Sequence, residues 1–436
     1  MTHPVFSIRK GVFLADFHIH SHFSRATSPD MHPAVVNRVA KQKGLSVVGT
    51  GDFTHPRYLD ELREELEPEG TGLYVCKDDP EGTKFILTSE ISNIFTQGGR
   101  SRRIHTVFFA PDFQVAEEIQ DRLGSIGNIS SDGRPIFGFP VKELVKIVME
   151  VSPDCFVVPA HIWTPWFSLF GAKSGFDTLE ECFEEQSGHI FALETGLSSD
   201  PQMNWRLSAL DQYTLISNSD AHSPSKLARE ANCFSCGLTY ESITAAIKDP
   251  GRGFEGTIEF FPEEGKYHYD GHRACGVCMK PKETIEHKGK CPVCGQNLTV
   301  GVLHRIEELA DRPEGFIPET ARPCVHLVPL EEIVAEAFGV RSITGRVKKE
   351  YQRLIQLGGS EMDILLWKDA GELRHFVPDR ILEGILRMRN GEIKISPGHD
   401  GLYGKISIFS EEERKELRSS KTKTSSKDRA VQMDLF

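Results

Sequence analysis

From Gly11 to about Phe261 the chain repeats one arrangement, a short β-rich apolar run followed by a helix-like segment. This is how strands alternate with crossover helices in an α/β fold. The runs fall at 12–17, 45–50, 85–89, 104–109, 155–159, 190–193 and 214–217. Nearly all of them contain or lead into a His, Asp or Glu. In an α/β barrel the C-terminal strand ends converge on one face, so polar residues placed there share a cavity although they are far apart in the chain.

The clearest of these strand ends is DFHIHSHFS, where His18 and His20 lie two residues apart. On a strand end such residues point the same way, so both imidazoles can reach one metal. Later segments add Asp52 and His55 (TGDFTH), Glu90 (TSE), His105 (IHT), His161 (PAH), Glu194 (LET), and Asp220 and His222 (SNSDAH). Buried carboxylates and imidazoles would each cost several kcal/mol unless metal or hydrogen bonds compensated them. Metal is the simplest reading, with His20, Glu90, Asp220 and His222 as the expected catalytic core. Closely spaced divalent ions clamp a phosphodiester and acidify water, so the residues point to phosphoester hydrolysis. No Ser-His-Asp arrangement, phosphate-binding glycine loop or dinucleotide fingerprint competes for the role.

Around this set, Asp16 and His22 are read either as ligands or as groups that orient one, and Glu194 either as a ligand or as a hydrogen-bond partner. Arg100, Arg102 and Arg103 precede His105 and are expected to line the cavity rim and hold substrate phosphates; the alternative is a solvated basic loop. Trp163, Trp166 and Phe167 follow His161 and are expected either to stack on a nucleic-acid strand or to pack in the core.

The ordered set HxH, GD, E, H, H and DxH resembles the PHP (polymerase and histidinol phosphatase) family. That resemblance implies a distorted (β/α)7 barrel over residues 1–262 with two or three metals, zinc or else magnesium or manganese. It places His18, His20, Glu90 and Asp220 on one ion, lets Glu90 bridge to a second held by His105 and His161, and gives His222 to a third with Asp52 and His55. The family sets a histidine directly after the aspartate of its second motif, whereas here Phe53 follows Asp52.

Ten cysteines in the chain need not form disulfides. Cys275-x-x-Cys278 and Cys291-x-x-Cys294, separated by twelve residues, have the spacing of two knuckles presenting four thiolates to a structural zinc. Cys233-x-x-Cys236 has no second pair and reads as strand packing. Residues 262–274 read as a linker, 263–300 as the zinc ribbon, 301–410 as a mainly helical DNA- and lesion-recognition domain, and 411–436 as a flexible tail. The tail carries Gln432, Met433, Asp434, Leu435 and Phe436, similar to the pentapeptide by which bacterial repair proteins dock on the sliding clamp.

The net charge of −12 argues against a uniformly basic nucleic-acid surface, although Arg346, Lys348, Lys349 and Arg353 cluster locally. No apolar run is long enough to span a bilayer and the first residues do not resemble a secretory signal, so a cytoplasmic, nucleoid-associated monomer without a membrane role is expected. Barrel, ribbon, helical unit and clamp motif together resemble the endonuclease Q family. The resemblance implies cleavage of damaged DNA on the 5′ side of hypoxanthine, uracil, xanthine or an abasic site, leaving a 3′-hydroxyl and a 5′-phosphate. In that picture the C-terminal module extrudes the damaged nucleotide while the metals receive the adjacent phosphate. A histidinol-phosphatase-like small-molecule phosphoesterase and a non-catalytic clamp-associated scaffold are the alternatives.

Overall fold

The structure is a computed structural model that describes Ile8 and residues 10–414. All seven expected runs form strands: β1 (Phe13–Asp16), β2 (Val47–Gly49), β3 (Lys84–Gln97), β4 (Arg100–Ala110), β5 (Phe156–Pro159), β6 (Ala192–Glu194) and β7 (Thr214–Ile216). Two more follow, β8 (Ala231–Phe234) and β9 (Phe254–Glu259). The pairs β1–β2, β2–β3 and β6–β7 are parallel. By contrast β1–β8, β3–β4, β4–β5 and β8–β9 are antiparallel, so the α/β fold is mixed rather than all-parallel.

The long β3–β4 hairpin has a local cause. Gly98 and Gly99 both adopt positive φ (+61° and +71°), the twist a two-residue hairpin turn requires, so the chain reverses at once instead of crossing over through a helix. Arg100, Arg102 and Arg103 are therefore strand residues and not part of a loop.

Helices α1 (Pro33–Lys43), α2 (Pro56–Glu65), α3 (Phe113–Ile126), α4 (Val141–Val151) and α5 (Tyr240–Lys248) accompany the strands. α4 shows why they bind: Val141, Leu144, Val145 and Val148, spaced by three and four, are all buried. Each such side chain contributes about 1.5–3 kcal/mol. α3 starts where the Asp112 carboxylate accepts from the Val115 amide, and α1 stops at Gly44 in the left-handed region (φ +95°). Phe17, Val47, Ile86, Phe109, Phe156, Phe234 and Phe254 belong to the buried cluster between strands and helices.

The expected linker at 262–274 is folded. Within it β10 (Asp270–His272) pairs antiparallel with β11 (Val277–Met279), and Glu263, His268 and Asp270 are buried. Asp270 is satisfied internally: one oxygen accepts from the Gly301 amide at 2.7 Å and the other lies 2.7 Å from His304 Nδ1. Polar residues whose partners lie thirty positions away look like linker in one dimension.

Two compact units result. The larger holds the described residues up to His326 and Pro397–Gly404. The division at 326/327 lies beyond the expected 300/301, because β12 (Cys324–His326) pairs in parallel with β9. The larger unit also includes α6 (Val302–Leu309).

The smaller unit, Leu327–Ser396 and the described residues from Lys405 on, is built on α7 (Leu330–Phe338), α8 (Gly345–Gly358) and α9 (Asp379–Arg389), which bury Ile333, Leu354 and Ile385. Asp363–Trp367 is a π-helical turn whose neighbourhood is capped by Arg389, donating to the carbonyls of Ile364, Leu365 and Lys368. β13 (Lys394–Ser396) pairs antiparallel with β14 (Lys405–Ser407). Among the described residues no helix is long and apolar enough to cross a membrane. Residues 432–436 lie outside the described residues.

Candidate metal centre

The strand ends do converge. Ligand atoms of His18, His20 and Glu90 lie within 4.8 Å of one another, as do those of His20, Asp220 and His222, and those of Glu90, His105 and His161. Glu90 is the hub. Its Oε1 is 2.8 Å from His105 Nδ1 and 3.3 Å from His161 Nε2; its Oε2 is 3.2 Å from His20 Nε2 and 3.5 Å from His18 Nε2. Asp220 Oδ1 lies 3.1 Å from His20 Nε2 and 3.7 Å from His18 Nε2.

The fit to divalent metal follows from which ring nitrogens are already engaged. His18 Nδ1 is 3.0 Å from both oxygens of Glu194, and His20 Nδ1 is 3.0 Å from Asp52 Oδ1. A carboxylate on Nδ1 fixes the hydrogen there and turns the Nε2 lone pair inward, the usual backing of a metal-binding histidine. Both Nε2 atoms and Asp220 Oδ1 are buried without a hydrogen-bond partner. Lone pairs thus face lone pairs across about 3 Å, an arrangement that needs a cation between them.

Burial opposes protonation of His18, yet Glu194, Glu90 and Asp220 outweigh it and hold the imidazole well above its ordinary range, so the surrounding carboxylates favour positive charge at this point, as a proton on the ring or as a metal ion. Burial also disfavours the Glu90 carboxylate, but His105, Arg134 and His18 keep it well below the usual carboxylate range. Burial lowers His105 to about 4 in spite of Glu90, leaving its imidazole neutral and able to ligate.

Asp52 and His55 do not join these groups. Asp52 sits behind His20, and its Oδ2 accepts from the amide and hydroxyl of Ser21 and the hydroxyl of Ser24. His55 Nε2 lies 3.2 Å from the Ser130 carbonyl, and its ring stacks on Phe23. His22 is turned away, with Nε2 3.2 Å from Glu61. Asp16 accepts from the amides of Ser219 and Ala228, at 3.0 Å each, and so braces the turn that presents Asp220. Asp52, His161 and Asp220 all have left-handed φ (49°, 29° and 47°), strain of about 1 kcal/mol or more apiece. Gly196 permits the approach at His161, since a Cβ there would come 2.4 Å from the His161 Cβ.

Sequence reasoning missed Arg134, whose Nη1 is 3.0 Å from Glu90 Oε2. It lies in SDGRP, forty-four residues from Glu90, with no motif to mark it. The expected rim residues separate. Arg103 lies over the rings of Trp166 and Phe167 (5.0 and 5.5 Å), and Phe167 in turn lies 4.7 Å from the His105 ring. Arg102 instead packs on Phe176 at 4.0 Å and donates to the Gly175 carbonyl. Arg100 is five strand residues from His105, roughly 16 Å along β4. Trp163 is buried, with Nε1 donating to Asn204 at 2.7 Å, which is the core-packing alternative, and Trp166 is about half exposed.

A second cluster combines Cys275, Cys291 and Cys294 with His272, whose Nδ1 is 3.4 Å from Cys294 Sγ. Cys278 is exposed and outside the group, so the fourth position differs from the expected four-cysteine set. His272 lies only three residues before Cys275, outside the Cys-x-x-Cys spacing. Cys233 is buried in β8 and Cys236 packs against the same core, as read from their lack of a second pair.

The mixed α/β fold that carries this histidine and carboxylate cluster is similar to proteins of known structure. The chain is 33% identical to the lesion-specific endonuclease PfuEndoQ from Pyrococcus furiosus (TM-score 0.81), covering 92% of this chain and 96% of that one. It is 32% identical, with a TM-score of 0.80, to an endonuclease Q solved with a 27-mer duplex bearing an abasic lesion at the active site, covering 92% and 97% of the two chains. The chain belongs to the endonuclease Q family. Residues 329–392 match the family model described as the MJ0043 C-terminal domain. Protein MJ0043 of Methanocaldococcus jannaschii is 33% identical over 275 residues, 60% of this chain but only 34% of its own length. Protein YqxK of Bacillus subtilis is 29% identical over 85% of this chain and 91% of its own.

Proposed function

We propose that this chain is a metal-dependent DNA repair endonuclease that hydrolyses the phosphodiester 5′ of a deaminated base or an abasic site, leaving a 3′-hydroxyl and a 5′-phosphate. The observation that carries the reading is the convergence of two orphaned Nε2 atoms, Glu90 and Asp220 on one buried point, in a chain aligned over nearly its whole length with a lesion-specific endonuclease. His18, His20, Glu90 and Asp220 would hold one ion, His105 and His161 with Glu90 a second, and His222 with His20 and Asp220 a third. Divalent ions there supply charge for the phosphate and acidify an attacking water. Glu194 and Asp52 orient His18 and His20. Arg134, already drawn to the cluster by Glu90, offers its remaining guanidinium donors to a phosphate oxygen. The half-exposed Trp166 with Arg103 over it offers a stacking face for a base.

The test is incubation with end-labelled duplexes carrying uracil, hypoxanthine, an abasic site or no lesion, with and without prior chelation. One cut 5′ of each lesion, lost on chelation and restored by divalent metal, is expected. Equal cutting of the undamaged duplex would remove the lesion specificity, and hydrolysis of small phosphomonoesters alone would establish the phosphatase alternative.

The cysteine and histidine cluster is assigned a structural zinc, and the helical unit a role in engaging duplex DNA through Arg346, Lys348 and Lys349. The QMDLF pentapeptide is assigned to the bacterial sliding clamp, with Leu435 and Phe436 filling a pocket and Gln432 hydrogen-bonding beside them. Deleting residues 432–436 is expected to abolish a clamp pull-down while cleavage of a short lesion duplex stays within about twofold, since tethering raises only local concentration. Retained clamp binding would make the motif a chance match.

A further inference from the structure

Residues 162–176 between His161 and Asp177 contain no helix or strand, yet they carry Trp166 and Phe167 and reach the metal cluster. On one side the segment leans on β4. The His105 amide donates to the Phe167 carbonyl (3.3 Å), and the Arg103 amide to that of Ser174 (3.4 Å). Phe167 is held at φ +61°, a strained value for a phenylalanine, while its ring covers His105. Such a conformation persists only where the surroundings enforce it.

On the other side Trp163 donates to Asn204, and one residue of α6 holds the second half of the segment. Arg305 donates from Nε to the Phe170 carbonyl (3.1 Å), from Nη2 to the Phe176 carbonyl (3.1 Å), and pairs with the Asp177 carboxylate. Its side chain is 15% exposed. A planar fork that meets three acceptors at once is a guanidinium property that a lysine cannot reproduce. α6 is itself fixed to the cysteine-rich segment: Asp270 takes the Gly301 amide and His304, and the Val302 amide donates to the Tyr267 carbonyl at 2.7 Å. Asp270 lies on β10, which ends at His272 of the cysteine cluster.

We propose that Arg305 is a positioning residue for strand cleavage. It fixes the 162–176 segment, and through Phe167 the His105 and His161 pair, and so makes the reacting geometry depend on the distant cysteine and histidine cluster. The role in cleavage rests on the function proposed above; the fixing of the segment does not.

The test compares the full chain with Arg305→Gln and Arg305→Lys by amide exchange read by mass spectrometry, barrel metal content, and kcat and KM on an abasic duplex. In both variants exchange over 162–176 is expected to rise roughly tenfold or more, while exchange over 84–97 and metal content stay as in the parent. kcat is expected to fall about 10- to 100-fold with KM within roughly threefold, since binding survives and alignment does not. Cys291→Ser should reproduce the rise over 162–176. Unchanged exchange in Arg305→Gln overturns the proposal whatever the activity, and raised exchange with unchanged kcat overturns the positioning role. Should the parent cut no lesion duplex, the function above fails while the exchange result still decides whether Arg305 fixes the segment.

Discussion

Glu90→Gln is expected to reduce lesion-duplex cleavage by on the order of a thousandfold or more, with loss of metal from the histidine and carboxylate cluster. Both carboxylate oxygens are committed, Oε1 to His105 and His161, Oε2 to His20, His18 and Arg134. An amide keeps the shape but brings only one acceptor and removes the charge that both ligand groups share. The NH2 group would point donors at whichever set it faced, so one group must be disrupted in either orientation. Single-turnover cleavage and metal content, measured together, check this. Turnover within tenfold of the parent at full metal content would sink the assignment of Glu90 as bridge. Asp220→Asn offers a graded comparison, because Asp220 faces His18, His20 and His222 and should spare metal at His105 and His161.

The second large effect is expected on stability. Cys291 is 2% exposed and packs with Met279 and Leu298, so the proposed thiolate ligand is also part of the small core beneath the cluster. Cys291→Ser should release one equivalent of zinc and cost on the order of several kcal/mol locally, because metal binding and folding of such a segment are one equilibrium. Calorimetry should show the transition of the larger unit lowered by roughly 5–10 °C. Zinc content unchanged from the parent would refute the site. Side by side, His272→Ala should release the metal and Cys278→Ser should retain it, since His272 and not Cys278 lies within ligand distance of the other three. The reverse result would restore four cysteines.

The chain's own alphabet determined a good deal. Short apolar runs marked the positions of seven strands, because a strand buried on both faces must be apolar along its length, although the third runs on to Gln97. The polar residue closing each run marked His18, His20, Glu90, His105, His161, Asp220 and His222, which the fold gathers into three contiguous groups. Spacing also served the cysteines, three of which meet. What one dimension leaves out is which of two nearby polar side chains turns inward. His55 and His22 look as eligible as His20, and only the paths of the turns after β1 and β2 send them to Ser130 and Glu61 instead. Arg134 and Arg305 carry no motif, since a guanidinium recruited across forty or more residues answers to the partner's position and not to its neighbours in sequence, and His272, 22 residues from Cys294, lies outside the Cys-x-x-Cys spacing. The hairpin of β3 and β4 was decided by two glycines at positive φ, and the folded state of residues 262–274 by Asp270 finding Gly301 and His304. Local sequence fixes what a segment prefers; only the tertiary fold supplies the partner that makes a buried charge affordable.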